Sequence, residues 1–160
     1  MTSFPDQSTL LALGEICVTL LGFVGVVLVL GRRSAGEWDA LEQARFTVML
    51  NGSIGALVLA LLPIVLPVEV AYRCAVALCG VSAYLVCRGG VFALRTPGAS
   101  KLLAVPLMTF AVLLFLVMGL ADLGVGIVAM GDLYLIAILW HVGNGILFFV
   151  RLINVRKFAD

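Results

Sequence analysis

The chain has 160 residues, of which 63% are apolar and only 12% are charged, and its mean hydropathy is +1.21. Water-soluble domains are usually about 45–50% apolar and about 25% charged, so this composition excludes a soluble enzyme, a nucleic-acid-binding protein and a disordered protein. The composition therefore predicts an all-α integral membrane protein that is embedded in the lipid bilayer.

Five apolar runs predict a five-transmembrane-helix bundle, with residues 1–160 forming a single transmembrane domain. A span needs about 20 apolar residues to cross a hydrocarbon layer of about 30 Å. No basic residue precedes the first run, so a cleavable signal peptide is not expected. The predicted spans, in chain order, are residues 8–31, 44–66, 70–92, 102–121 and 133–153.

Two segments between these runs also carry structural signals. Ser34 followed by Glu37 fits a capping box, which predicts an amphipathic cytoplasmic helix over about residues 34–45 that leads into the second span. Residues 122–132 are rich in glycine but still apolar. The fourth helix therefore either ends near Ala121 or continues to about Ala129.

The basic residues predict the orientation of the bundle. With five spans, nine of the ten basic residues fall on one side, which the positive-inside rule makes cytoplasmic. The N-terminus is then outside and the C-terminus is cytoplasmic, and compact size with short loops favours a bacterial inner (plasma) membrane. The nine residues are Arg32, Arg33, Arg45, Arg88, Arg95, Lys101, Arg151, Arg156 and Lys157.

The first span carries a stripe of residues that lie within about 40° of one direction on a helical wheel. Symmetric copies of this helix would place an acidic ring at the outer end of a pore, then an apolar constriction, then a basic ring. Acidic rings select cations, and apolar constrictions gate by dewetting. The stripe consists of Glu15, Thr19, Gly22, Val26, Val29 and Arg33.

This order of groups is similar in arrangement to the pore helix of store-operated calcium channels. The resemblance covers one helix, because that family has four spans and its pore helix runs in the opposite chain direction. The alternative is ordinary packing. Gly14, Gly22 and Gly25 would then let helices approach closely, and Glu15 would be neutral and hydrogen-bonded to a neighbouring helix.

The fifth span contains the sequence WHVGNG, which places His141 and Asn144 near its midpoint on adjoining parts of one face. A histidine at mid-membrane is suited to proton exchange near neutral pH. The alternative is that both residues form hydrogen bonds between helices.

The second span contains Asn51, on a face of small residues that predicts a contact between helices. A polar core would form if the helices brought Asn51 and Glu15 together with His141 and Asn144. The residues that share the face of Asn51 are Thr47, Gly55 and Val58.

The motifs that are absent limit the function. The chain has no Walker A loop, no H-E-x-x-H and no G-x-S-x-G, so we expect neither an enzyme nor a bound cofactor or metal. The leading hypothesis is a homo-oligomeric cation or proton channel whose first helix lines the pore. The alternatives are a small transporter or ligand-binding membrane protein that uses His141 and Asn144, and a non-catalytic membrane scaffold subunit.

Overall fold

The computed structural model describes residues 4–30, 40–95, 101–125 and 128–156. Within these ranges the chain forms five helices, each long and apolar enough to cross a membrane, which confirms the predicted all-helical class. The helices are α1 (Gln7–Leu30), α2 (Ala40–Val65), α3 (Val68–Arg95), α4 (Lys101–Asp122) and α5 (Met130–Arg156).

The helices extend beyond several of the predicted spans. In α3 the extra turns include Glu69 near the start and Arg95 at the end, where an acid and a base complement the helix dipole. These charges therefore belong to helix ends rather than to loops. Residues 40–45 of the predicted amphipathic helix form the start of α2, and residues 34–39 lie outside the described residues.

The end of α4 is fixed by a glycine. Gly124 has a φ of 78°, a conformation that favours glycine, and its N–H donates to the carbonyl of Ala121 at 3.0 Å. The N–H of Val125 donates to the carbonyl of Leu120, also at 3.0 Å. These two bonds form a Schellman motif. The fourth helix therefore ends at Asp122 and does not continue to Ala129.

The start of α1 is capped by Asp6. The Ser8 hydroxyl donates to the Asp6 carboxylate. Hydrogen bonds from Ser8 and Thr9 lower the pKa of Asp6 below its usual value. The carboxylate therefore stays charged at neutral pH, where a negative charge stabilises a helix N-terminus.

The central pair of helices is α2 and α5, which run antiparallel, with α1 packed mainly on α2 and α4 mainly on α3. The pairing of α3 with α4 includes a buried hydrogen bond of 3.1 Å from the Tyr72 hydroxyl to the carbonyl of Met118. Most of the buried side chains that join the helices belong to one cluster, which includes Leu59, Tyr72, Met118, Tyr134 and Ile138.

A proline inside α2 is compensated by a tyrosine of α5. Pro63 has no N–H, so the carbonyl of Leu59, four residues earlier, loses its helical donor. The buried hydroxyl of Tyr134 donates to that carbonyl at 2.6 Å. This bond joins α2 to α5 and supplies the partner that a buried carbonyl requires where no water is present.

The two ends of the bundle differ in charge. We call one end the acidic end: it holds Asp6, Glu69 and Asp132, and there Arg73 contacts Asp122 at 3.4 Å. We call the other the basic end, where arginines of three helices line two cavities. The arginines at this end whose side chains the structure describes are Arg45, Arg88, Arg95 and Arg151.

Candidate functional site

Two helices approach each other closely where α2 crosses α5. A Cβ atom built on Gly52 would lie 2.8 Å from the carbonyl oxygen of His141 and 2.9 Å from the backbone nitrogen of Gly145. A Cβ built on Gly145 would lie 2.7 Å from the hydroxyl of Ser53. The helix backbones are thus in direct contact at Gly52, and this position requires glycine, whereas at Gly145 the nearest atom belongs to a side chain.

His141 is enclosed at this crossing, with an exposed fraction of only 1%. Its ring lies against Gly55 of α2, where a Cβ would be 2.7 Å from the ring carbon Cδ2. The ring nitrogen Nδ1 lies 2.8 Å from the carbonyl of Ala137. Because a carbonyl only accepts, Nδ1 carries a proton and donates it. The ring is thereby held by its own helix and covered by α2.

Asn144 lies one turn further along α5 and is also buried, with an exposed fraction of 3%. Its amide nitrogen donates to the carbonyl of Trp140 at 2.9 Å. Among the described residues, its amide oxygen and the hydroxyl of Ser53 are the two buried side-chain atoms without a hydrogen-bond partner. Buried polar atoms are normally paired, so the crossing is closely packed but incompletely satisfied.

The face of α2 that contacts α5 overlaps in part with the face predicted around Asn51. Asn51 is half-buried, whereas Thr47 and Val58 of the same predicted face are exposed. Gly55 of that set packs directly on His141. The helix is turned so that Gly52 meets the α5 backbone, because a glycine allows a closer approach than an asparagine.

The stripe predicted on the first span lies on the exposed side of α1. Glu15, Thr19, Gly22 and Val26 are all exposed, and Thr19 donates its hydroxyl to the backbone carbonyl of Glu15 at 2.9 Å. Arg33 lies outside the described residues. Val29 belongs to α1, but its side chain also lies outside the described part.

The opposite side of α1 packs on the bundle. Its buried residues recur at helical spacing, and a Cβ built on Gly14 would make an ordinary contact of 3.8 Å with the Cβ of Ala60. Glu15 therefore does not join His141 and Asn144 in a shared polar core. The buried residues of this side are Leu10, Gly14, Cys17 and Val24.

No grouping of metal ligands is formed by the histidine, cysteine and acidic residues that the structure describes. The fold and the two polar faces thus define the class of protein: five apolar helices, as in a small membrane protein, with one polar face buried and another exposed. Comparisons with protein-family models, with curated proteins and with solved structures find no match.

Proposed function

We propose that copies of this chain associate in the membrane through the exposed face of α1 and form a channel for cations or protons. The residues proposed to line it are those of the stripe, from Glu15 through Thr19, Gly22 and Val26 to Val29 and Arg33. The observation that carries the proposal is the exposure of Glu15 about two turns inside an apolar helix.

The position of Glu15 is unfavourable for an isolated protomer in lipid. It lies eight residues after Gln7, about 12 Å along the helix at 1.5 Å per residue. An ionisable side chain at such a depth costs about 2.5–3.5 kcal/mol, so it normally faces protein or water. The Glu15 side chain faces away from the other helices, so a second copy or a water-filled pore would cover it.

The surface beside Glu15 suits close association with another helix. No described atom lies within 4 Å of a Cβ built on Gly22 or on Gly25. Val26 is 50% exposed on the same side. Small residues on an open helix face are typical of helix association in membranes. An apolar section after the acidic residue also fits a pore that gates by dewetting.

We propose the same orientation as the charge pattern predicts, with the acidic end outside and the basic end cytoplasmic. A bacterial inner membrane stays the proposed location, and the absence of enzymatic activity stays a prediction. In this orientation the acidic end would raise the local concentration of cations at the entrance of the pore.

Ion flux into reconstituted vesicles tests the channel. We expect Glu15→Gln to lower cation or proton flux at least tenfold, because the substitution removes the charge of the acidic ring but keeps its shape. The matched control is Glu69→Gln, an exposed carboxylate of the acidic end outside the stripe. Equal flux in both variants, or vesicles that stay tight with the unmodified protein, would contradict the proposal.

Cross-linking tests the interface separately from conduction. With a short bismaleimide, Val26→Cys should give cross-linked oligomers in the bilayer beyond those of the unmodified chain, while Leu113→Cys on the exposed side of α4 should not. Cross-linked oligomers without flux would favour the scaffold interpretation. The transporter interpretation is less favoured, because neither cavity at the basic end is lined by His141 or Asn144.

A further inference from the structure

The basic end of the bundle contains two adjoining cavities of about 50 Å³ and 330 Å³. The smaller lies among α2, α3, α4 and α5, and the larger lies between α2 and α3. Ala44, Val48 and Gly89 line both, so the two form one feature, which we call the basic crevice. The volume of the larger cavity lies at the lower end of the range for ligand pockets, which is about 300 to 1,000 Å³.

Arginines of three helices line this crevice. Arg45 of α2 and Arg151 of α5 both line the smaller cavity, and Arg88 of α3 lines the larger one. Neither Arg45 nor Arg151 forms an ion pair with any carboxylate that the structure describes. Two half-buried like charges that have no counterion among the described residues are unfavourable, so this part of the site is complementary to an anion.

The rest of the crevice is apolar. Val86, Ala104, Leu107 and Phe148 line the smaller cavity, and Phe92 closes part of the larger one. At Gly89 the wall is open, since no described atom lies within 4 Å of a Cβ built there. A fully hydrated anion would gain nothing from these walls, whereas a molecule with a hydrocarbon chain would bury it against them.

We propose that the basic crevice binds an anionic phospholipid, with its phosphate group at Arg45 and Arg151 and part of an acyl chain along the apolar wall. Arginine suits a phosphate because its planar guanidinium donates two parallel hydrogen bonds. Basic pockets between membrane helices at the cytoplasmic side are typical sites for anionic lipid headgroups. The proposal requires that the chain lies in a membrane, and it does not depend on the channel.

Lipid retention measured by native mass spectrometry tests the site. The full chain, released from nanodiscs of phosphatidylcholine with one-fifth phosphatidylglycerol, should keep one phosphatidylglycerol per protomer in preference to phosphatidylcholine. We expect the double variant Arg45→Gln/Arg151→Gln to lower the affinity for phosphatidylglycerol at least tenfold. In nanodiscs of phosphatidylcholine alone, this variant should unfold at the same temperature as the unmodified chain or higher, because a repulsion is removed.

Two further variants separate the site from general surface charge and from misfolding. Arg95→Gln removes an exposed charge of the same end that lines neither cavity, and it should keep the lipid. Gly89→Leu keeps every arginine but fills the open wall, and it should lose the lipid at least tenfold while its unfolding temperature in phosphatidylcholine is unchanged. This variant decides the question if the double variant fails to fold.

Three results would overturn the proposal. The first is an equal loss of lipid in Arg95→Gln and in the double variant, which would indicate a diffuse charge effect. The second is full retention by Gly89→Leu. The third is displacement of the lipid by millimolar inorganic phosphate, or a rise of the unfolding temperature with phosphate alone that equals the rise with phosphatidylglycerol. Either result would identify the ligand as a free anion.

Discussion

The exposed face of α1 and the buried face of α5 each carry one ionisable residue in an apolar helix. The two residues differ in burial, because the other helices cover one of them and leave the other exposed. His141 is enclosed by α2 and held by a hydrogen bond to its own helix. Glu15 is exposed on the side of α1 that faces away from the other helices. An ionisable residue in a span thus marks either a closed helix crossing or a surface that needs a further partner.

The difference arises from what faces each residue. Gly52 and Gly55 of α2 bring a bare backbone against α5, so the ring of His141 is covered. Gly22 and Gly25 of α1 meet no described atom within 4 Å. The first pair of glycines is already used for packing within the protomer, and the second pair is open for association.

The largest expected effect is at the crossing of α2 and α5. Gly52→Ala should lower the free energy of unfolding by about 3 kcal/mol, because the added Cβ would meet backbone atoms that cannot turn aside. Unfolding of the purified chain in mixed micelles measures this. Gly143→Ala on the same helix pair is the control, since no described atom lies within 4 Å of a Cβ built there. Equal effects of the two substitutions would show that the crossing is looser than described.

The second test compares the two ionisable residues directly. His141→Ala should lower the free energy of unfolding by about 2 kcal/mol, because it leaves a cavity against Gly55. Glu15→Ala should change it by less than about 0.5 kcal/mol in a detergent that keeps the chain monomeric, since surface substitutions have small effects. A large loss with Glu15→Ala would place Glu15 in a contact within the protomer and would remove the basis of the proposed pore.

These placements define how far the sequence predicts the structure. The number of helices follows from the number of apolar runs, although several helices extend beyond those runs. The gathering of basic residues at one end of the bundle follows from their positions between the runs. The rotation of each helix does not follow, because spans that are apolar on all sides carry no signal for the buried side. The sequence predicts a contact along the face of Asn51; Gly55 of that face does contact α5, but the closer backbone contact is made by Gly52, the neighbour of Asn51 in the chain.

The third test examines the bond that compensates Pro63. Tyr134→Phe should lower the free energy of unfolding by about 1 kcal/mol, because the carbonyl of Leu59 then lacks both its helical donor and the tyrosine hydroxyl. Tyr84→Phe is the matched control, because Tyr84 is exposed. If both substitutions are neutral, a neighbouring group must satisfy the Leu59 carbonyl in the variant. The link between α2 and α5 would then depend on the glycine crossing alone.

The smallest expected effect concerns the incompletely satisfied part of the buried face. Ser53→Ala should raise the free energy of unfolding by about 0.5 kcal/mol, because it removes a buried hydroxyl that has no partner among the described residues. Thr19→Val on the exposed face is the control and should be neutral, since the Thr19 hydroxyl donates only within α1. A loss of about 1 kcal/mol with Ser53→Ala would instead show that the hydroxyl of Ser53 is paired in the membrane. The partner would be a buried water molecule, and we would expect the nearby amide oxygen of Asn144 to bind the same water. The crossing would then be a hydrated polar site, as the exposed face of α1 is proposed to be.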